Sequence, residues 1–177
     1  MVQYKLYYFN AKGRGEFLRM MFMAAGLVVQ DNRIESANWP QLKGQAPLGR
    51  MPFLEINDGQ KVHKIGQSLS IGRYLARKFN MYGKDEMDQV HADMYADEVA
   101  DLVSAMGAAL YEKDEARKPM MMEKFTKEQL PTHMKLIDAR LGANNGHLAG
   151  SDVTYADVKH YYFNYSSFVS NYSTLII

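Results

Sequence analysis

The chain contains no cysteine, which excludes a disulfide framework, a thiolate nucleophile of its own and any Cys-based zinc site. It also lacks an excess of one charge: 21 Lys and Arg stand against 20 Asp and Glu, a formal charge of +1. A nucleic-acid binder carries a basic excess or stripe, and neither is present here. No apolar run approaches the roughly 18 residues that span a bilayer. The opening Met1-Val2-Gln3-Tyr4-Lys5 has no apolar core of a signal peptide. His63, His91, His133, His147 and His160 fall at no metal-ligand spacing. Gly13-Arg14-Gly15 lacks the third glycine of a dinucleotide fingerprint. Gly66-Gln67-Ser68-Leu69-Ser70 lacks the closing glycine of a nucleophile elbow. What remains is 177 residues of ordinary globular composition, 47% hydrophobic and 23% charged. That is enough for one domain or two small ones. The reading is a soluble, cytoplasmic protein.

The pattern changes character once along the chain. Residues 2–9 alternate Val2, Tyr4, Leu6 and Tyr8 against Gln3, Lys5 and Tyr7, the period of a half-buried strand. After Gly13-Arg14-Gly15, Phe17, Leu18, Met21, Phe22 and Ala25 recur at helical spacing, with Gly26 placed as a C-terminal cap. Residues 27–34 read as a second strand, parallel to the first because a helix intervenes. An irregular connection over 36–49 follows, then strands over 53–56 and 61–65 around the turn Asn57-Asp58-Gly59-Gln60. Residues 68–79 read as a helix. Beyond a polar linker at 80–85 the period is helical throughout. Val99, Leu102, Val103, Met106 and Leu110 form one stripe, and Leu130, Met134, Ile137 and Leu141 another, offset by Pro131. Val158, Tyr161, Tyr165, Phe168 and Tyr172 form a third. The expectation is a small α/β domain over 1–80 and an all-helical domain over 81–177.

Two local features point to a ligand. Pro52 precedes a short apolar strand, where it can only stand at the strand's start or at a bulge. X-Pro is also the one linkage that readily takes the cis form. A cis bond there would turn the backbone N–H and C=O of Met51 outward, toward an extended peptide. Gln67-Ser68 opens a helix, whose free N–H groups and positive dipole end attract a carboxylate. Together they suit a small peptide bearing negative charge.

The order β-α-β, loop, β-β-α, then helices is that of a thioredoxin-like domain joined to an all-α domain. Tyr4 to Asn10 with Gly13-Arg14-Gly15-Glu16 resembles the opening of sigma-class glutathione transferases. Asn38-Trp39-Pro40, Gly49 to Pro52, Gln67 to Ile71 and Gly150 to Asp157 continue the resemblance in register. It implies that Tyr8 donates a hydrogen bond to the sulfur of glutathione. Bonding to the charged form favours the thiolate, whose free thiol has a pKa of about 8.5. Arg14 would add positive potential beside it. Trp39 and Lys43 would meet the glycyl end, Gly49, Arg50 and Met51 the cysteinyl backbone with Pro52 fixing that geometry, and Gln67 and Ser68 the γ-glutamyl carboxylate. A plain N-cap is the ordinary role for Ser68.

Asp93, Asp97 and Asp101 follow at i+4 steps, ordinarily a solvated face. By resemblance Asp101 reaches the glutathione amine of the other subunit, which implies a homodimer. Thr154-Tyr155-Ala156-Asp157 has the form of a capping box and is assigned no catalysis. The implied activity is conjugation of glutathione to small hydrophobic electrophiles in detoxification, with glutathione as co-substrate and no metal required. A prostaglandin D synthase-type isomerase and a non-catalytic, crystallin-like relative are the alternatives. Family members continue for another helix or two past the point where this sequence stops, so a shortened C-terminus and an incomplete electrophile pocket are expected.

Overall fold

The structure, a computed structural model, describes residues 2–165; Phe168 and Tyr172 lie outside them. The chain divides into two compact units, Met1–Met81 and Tyr82–Ile177.

In the first unit β1 (Gln3–Phe9) leads to α1 (Gly13–Ala24) and β2 (Gln30–Ile34). A run of short helical turns includes α2 (Trp39–Leu42). β3 (Phe53–Asn57), β4 (Val62–Gly66) and α3 (Ser68–Lys78) complete the unit. The sheet order is β2-β1-β3-β4, with β1 and β2 parallel and the other pairs antiparallel. Register puts Leu6 opposite Leu54, and both are fully buried with Leu18, Ile71 and Leu75. Tyr4, on the same pleat side as Leu6, packs on Phe22 of α1 and edge-on to Phe79 after α3. This side of the sheet therefore carries α1 and α3.

Two boundaries differ from the sequence pattern. Residues 27–29 stay outside β2, and Val28 is 93% exposed. Gly26, at φ 66°, turns the chain out of α1. Within the connection over 36–49, residues 36–45 are helical turns rather than irregular, and only 46–49 are not: α2 starts at Trp39-Pro40, where proline's missing N–H costs nothing.

The second unit holds α4 (Glu86–Leu110), α5 (Arg117–Lys124), α6 (Leu130–Ala143) and α7 (Tyr155–Tyr165). Val99, Leu102, Ala109, Phe125, Leu130 and Phe163 form its buried centre. A π-helical turn over Phe125–Gln129 joins α5 to α6 directly ahead of Pro131. Pro131 cannot donate to residue 127 and its ring crowds that carbonyl, so a wider turn there is the local remedy.

The third stripe is corrected by α7. Tyr161 is 58% exposed, whereas Tyr155, Lys159, His160 and Phe163 are buried. The inward arc is broader than an aromatic stripe and includes two polar side chains.

The acidic row is corrected as well. Asp93 does not lie on a solvated face: it accepts hydrogen bonds from Tyr82 Oη at 2.8 Å and from Tyr155 Oη. Asp97 and Asp101 are exposed. Each i+4 step rotates about 40° around the helix, enough to turn Asp97 and Asp101 away from the contacts that Asp93 makes.

Candidate glutathione site

Tyr8 stands near the end of β1, and its phenol oxygen accepts the backbone N–H of Arg14 at 3.1 Å. Arg14 is the second residue of α1, and Lys12 supplies no side-chain cap to that helix. The phenol occupies the place of a capping side chain. A hydroxyl that accepts in this way still has its own proton to give. The positive end of the helix dipole favours a negative partner for that proton. Close approach of the ring needs small residues: a Cβ on Gly13 would lie 2.6 Å from the phenol oxygen, and one on Gly15 would fall on the ring itself.

Tyr7 points to the other face of the sheet. It stacks on Phe53 with centroids 4.4 Å apart and planes at 6°, and burial pushes its phenol pKa up. The two adjacent tyrosines are thus separated by the pleat, one packing and one at a helix end.

A small cavity of about 60 Å³ gathers Arg14, Arg50, Met51, Pro52, Gln67 and Ser68. A water molecule's share of the liquid is about 30 Å³, so the space suits a carboxylate-sized group. The Met51–Pro52 peptide is cis, as the sequence suggested. Gln67 has φ 67° and ψ 117°, an uncommon conformation for a residue with a side chain. Such strain costs about 1–3 kcal/mol and clusters at ligand sites. The cap position of α3 belongs to Gln67 rather than Ser68, which is the first helical residue, and no side chain caps the helix. The reading of Ser68 as a plain N-cap is therefore corrected.

The remaining candidates stand around this cavity or apart from it. The Lys43 stem runs past Gly49, whose added Cβ would meet Lys43 Cε at 3.6 Å. Trp39 packs edge-on to Phe9 at 6.1 Å, and Phe9 packs on Tyr8 at 5.8 Å. Asp101 belongs to the second unit, where it lines a groove of about 350 Å³ with Glu98, Glu128 and His133. Among the described residues no group of three or more His, Asp or Glu side chains is arranged to hold a metal ion. Among them, too, no helix is long and apolar enough to cross a membrane.

Three residues near the site escaped the sequence reading. Leu48 lines the cavity although it precedes the expected segment. Gly13, which the sequence pattern marks only as lying ahead of the first helix, is the floor beneath a phenol. Arg19 is 8% exposed and lies 5.9 Å from the Tyr8 ring centroid. Its (i,i+3) spacing from Glu16 was the one available signal.

Residues 3–77 match the family model for the glutathione S-transferase N-terminal domain, and residues 100–173 that for the C-terminal domain. A glutathione S-transferase of Anopheles gambiae is 37% identical over 158 residues, covering 89% of this chain and 76% of that protein. The solved structure of prostaglandin synthase D of Nilaparvata lugens gives a TM-score of 0.84 at 30% identity, covering 97% and 87% of the two chains. The sigma-class transferase of Fasciola hepatica gives 0.81 at 25% identity, covering 99% and 88%.

Proposed function

The chain belongs to the glutathione transferase family, and from that membership we propose how its residues perform conjugation of glutathione. Glutathione lies with its γ-glutamyl carboxylate in the cavity of Arg14, Gln67 and Ser68. Its cysteinyl backbone runs along Gly49, Arg50 and Met51, and its glycyl carboxylate faces Trp39 and Lys43. The bound thiol releases its proton to solvent. Tyr8 donates a hydrogen bond to the sulfur and keeps its own proton throughout. The thiolate then attacks an electrophilic carbon of a small hydrophobic substrate, forming the carbon–sulfur bond as the leaving group departs with its electron pair. Detoxification in the cytoplasm, with glutathione as co-substrate and no metal required, is the setting the resemblance implies.

One observation carries the assignment: Tyr8 Oη accepts the Arg14 N–H at a helix start, so its proton remains to be donated. Turnover of a chloronitrobenzene with glutathione, compared between the native chain and Tyr8→Phe, tests it. A hydrogen bond to an anion contributes about 1.5–3 kcal/mol, so the variant loses roughly 10- to 100-fold in rate. Equal rates would remove Tyr8 from the reaction.

The unit's outward surface supports a homodimer. Met87, Val90 and Met94 are 57%, 50% and 49% exposed at i, i+3 and i+7 on α4, and Asp97 and Asp101 continue the same face. On this reading a second copy covers the stripe and Asp101 meets the glutathione amine bound by its partner. Sizing of Met94→Lys reads the first point, with a smaller species expected. Asp101→Ala reads the second, through a raised KM for glutathione.

The likeness to prostaglandin synthase D of Nilaparvata lugens favours one alternative. The same thiolate would open an endoperoxide, a reaction measured directly by supplying that substrate.

A further inference from the structure

Arg19 is a charged side chain that conjugation as described does not use. It is 8% exposed, and its guanidinium is clamped from three directions. Nε donates to both carboxylate oxygens of Asp31 at 3.0 Å. Nη1 donates to Glu16 Oε2 at 2.8 Å and to the carbonyl of Ala11 at 3.0 Å. Nη2 is buried and has no hydrogen-bond partner among the described residues. Burying a guanidinium edge without an acceptor is costly, and a nearby aromatic face is the compensation that cations find. The guanidinium carbon stands 5.9 Å from the centroid of the Tyr8 ring.

These contacts reach Tyr8 by two routes. The first is the ring itself. The second is the loop: Ala11, held by Nη1, lies three residues before Arg14, whose N–H meets the phenol oxygen. Asp31 and Glu16 neutralise the guanidinium, and Arg33 also bonds Asp31 at 2.8 Å. The cluster is therefore balanced in charge, and its effect is geometric. We propose that Arg19 is a positioning residue for conjugation, fixing together the Tyr8 ring and the loop that delivers Arg14's N–H to the phenol. This rests on Tyr8 being the donor to the glutathione sulfur.

The test uses the full chain with glutathione, the native protein beside Arg19→Lys, Tyr8→Phe and the double variant. Lysine keeps the charge but not the planar fork. In Arg19→Lys the pH profile of bound thiolate, read by its ultraviolet absorbance, moves up by about half to one unit, and kcat falls roughly 3- to 10-fold. The glutathione KM stays within about twofold, because uniform binding is untouched. In the Tyr8→Phe background the Arg19→Lys substitution adds no further shift, since both act through one phenol.

A lowered unfolding midpoint with an unmoved profile makes Arg19 a structural ion pair and overturns the proposal. So does an equal shift in both backgrounds. If Tyr8→Phe alone is silent, the donor assignment fails, and the Arg19 proposal with it. Should Arg19→Lys not fold, Asp31→Asn leaves the guanidinium in place with one clamp loosened. A smaller upward shift then supports the proposal, and none overturns it.

Discussion

A Cβ placed on Gly13 would stand 2.6 Å from the phenol oxygen of Tyr8, and Gly13 itself has φ 39°. The residue that begins α1 is thus held to glycine twice, by its backbone and by its neighbour. Gly13→Ala is expected to lose about 1 kcal/mol of stability from the left-handed backbone. Its turnover falls further, at least about 10-fold, because the phenol must move. Gly26 supplies the control: its φ is 66°, yet an added Cβ would meet nothing within 4 Å. Gly26→Ala should show the stability loss without the loss of rate.

Asp157 holds the start of α7 through three donors. Its carboxylate accepts the N–H of Leu148, the N–H of Thr154 and the Thr154 hydroxyl, each at 2.7 Å. Asp157→Ala leaves two backbone donors without that acceptor, at a cost of about 2–4 kcal/mol. Urea unfolding checks this, with the midpoint lowered and the slope kept. Asp157→Asn, which retains one acceptor oxygen, should fall between the two.

Acid should weaken the second unit through His160. Burial, then the neighbouring His133, pushes its pKa down from 6.5 to about 4, against an opposing pull from Asp157. Its Nε2 lies 2.9 Å from Asn164 Nδ2, and the His133 ring is 6.0 Å away and bonded to Glu98. Unfolded, the imidazole takes up a proton near pH 6.5; folded, it refuses one until about pH 4. Stability is therefore full above pH 6.5 and falls as pH drops through that window, by up to about 3 kcal/mol. Urea midpoints measured across the window should decline in the native chain. They should decline less in His160→Gln.

Local spacing carried the parts of this structure that the sequence made legible. The alternation of Tyr4, Leu6 and Tyr8 marks β1 because a strand's period is two. Thr154 and Asp157 announce the start of α7 because their bond spans three residues. The pairing of Gln67 with Ser68 marked a helix entrance, although the cap falls one residue earlier than a serine would suggest.

What stayed hidden depends on partners far away in sequence. Asp93 looked solvated because its donors, Tyr82 and Tyr155, are 11 and 62 positions distant. Nothing in the period of α1 singles out Arg19, because its partner Asp31 lies on another element. In α7, Lys159 and His160 are buried beside an exposed Tyr161, and the ring that faces His160 and Phe163 is His133 of α6, a partner the period of α7 does not announce.

The carboxylate of Asp93 has an architectural consequence. It receives a hydroxyl from the first residue of the helical unit and another from the start of α7. The opening of the unit and the start of its α7 are thereby fastened to one oxygen pair. A backbone cut in the connection over 111–116 would leave two fragments still fastened to each other.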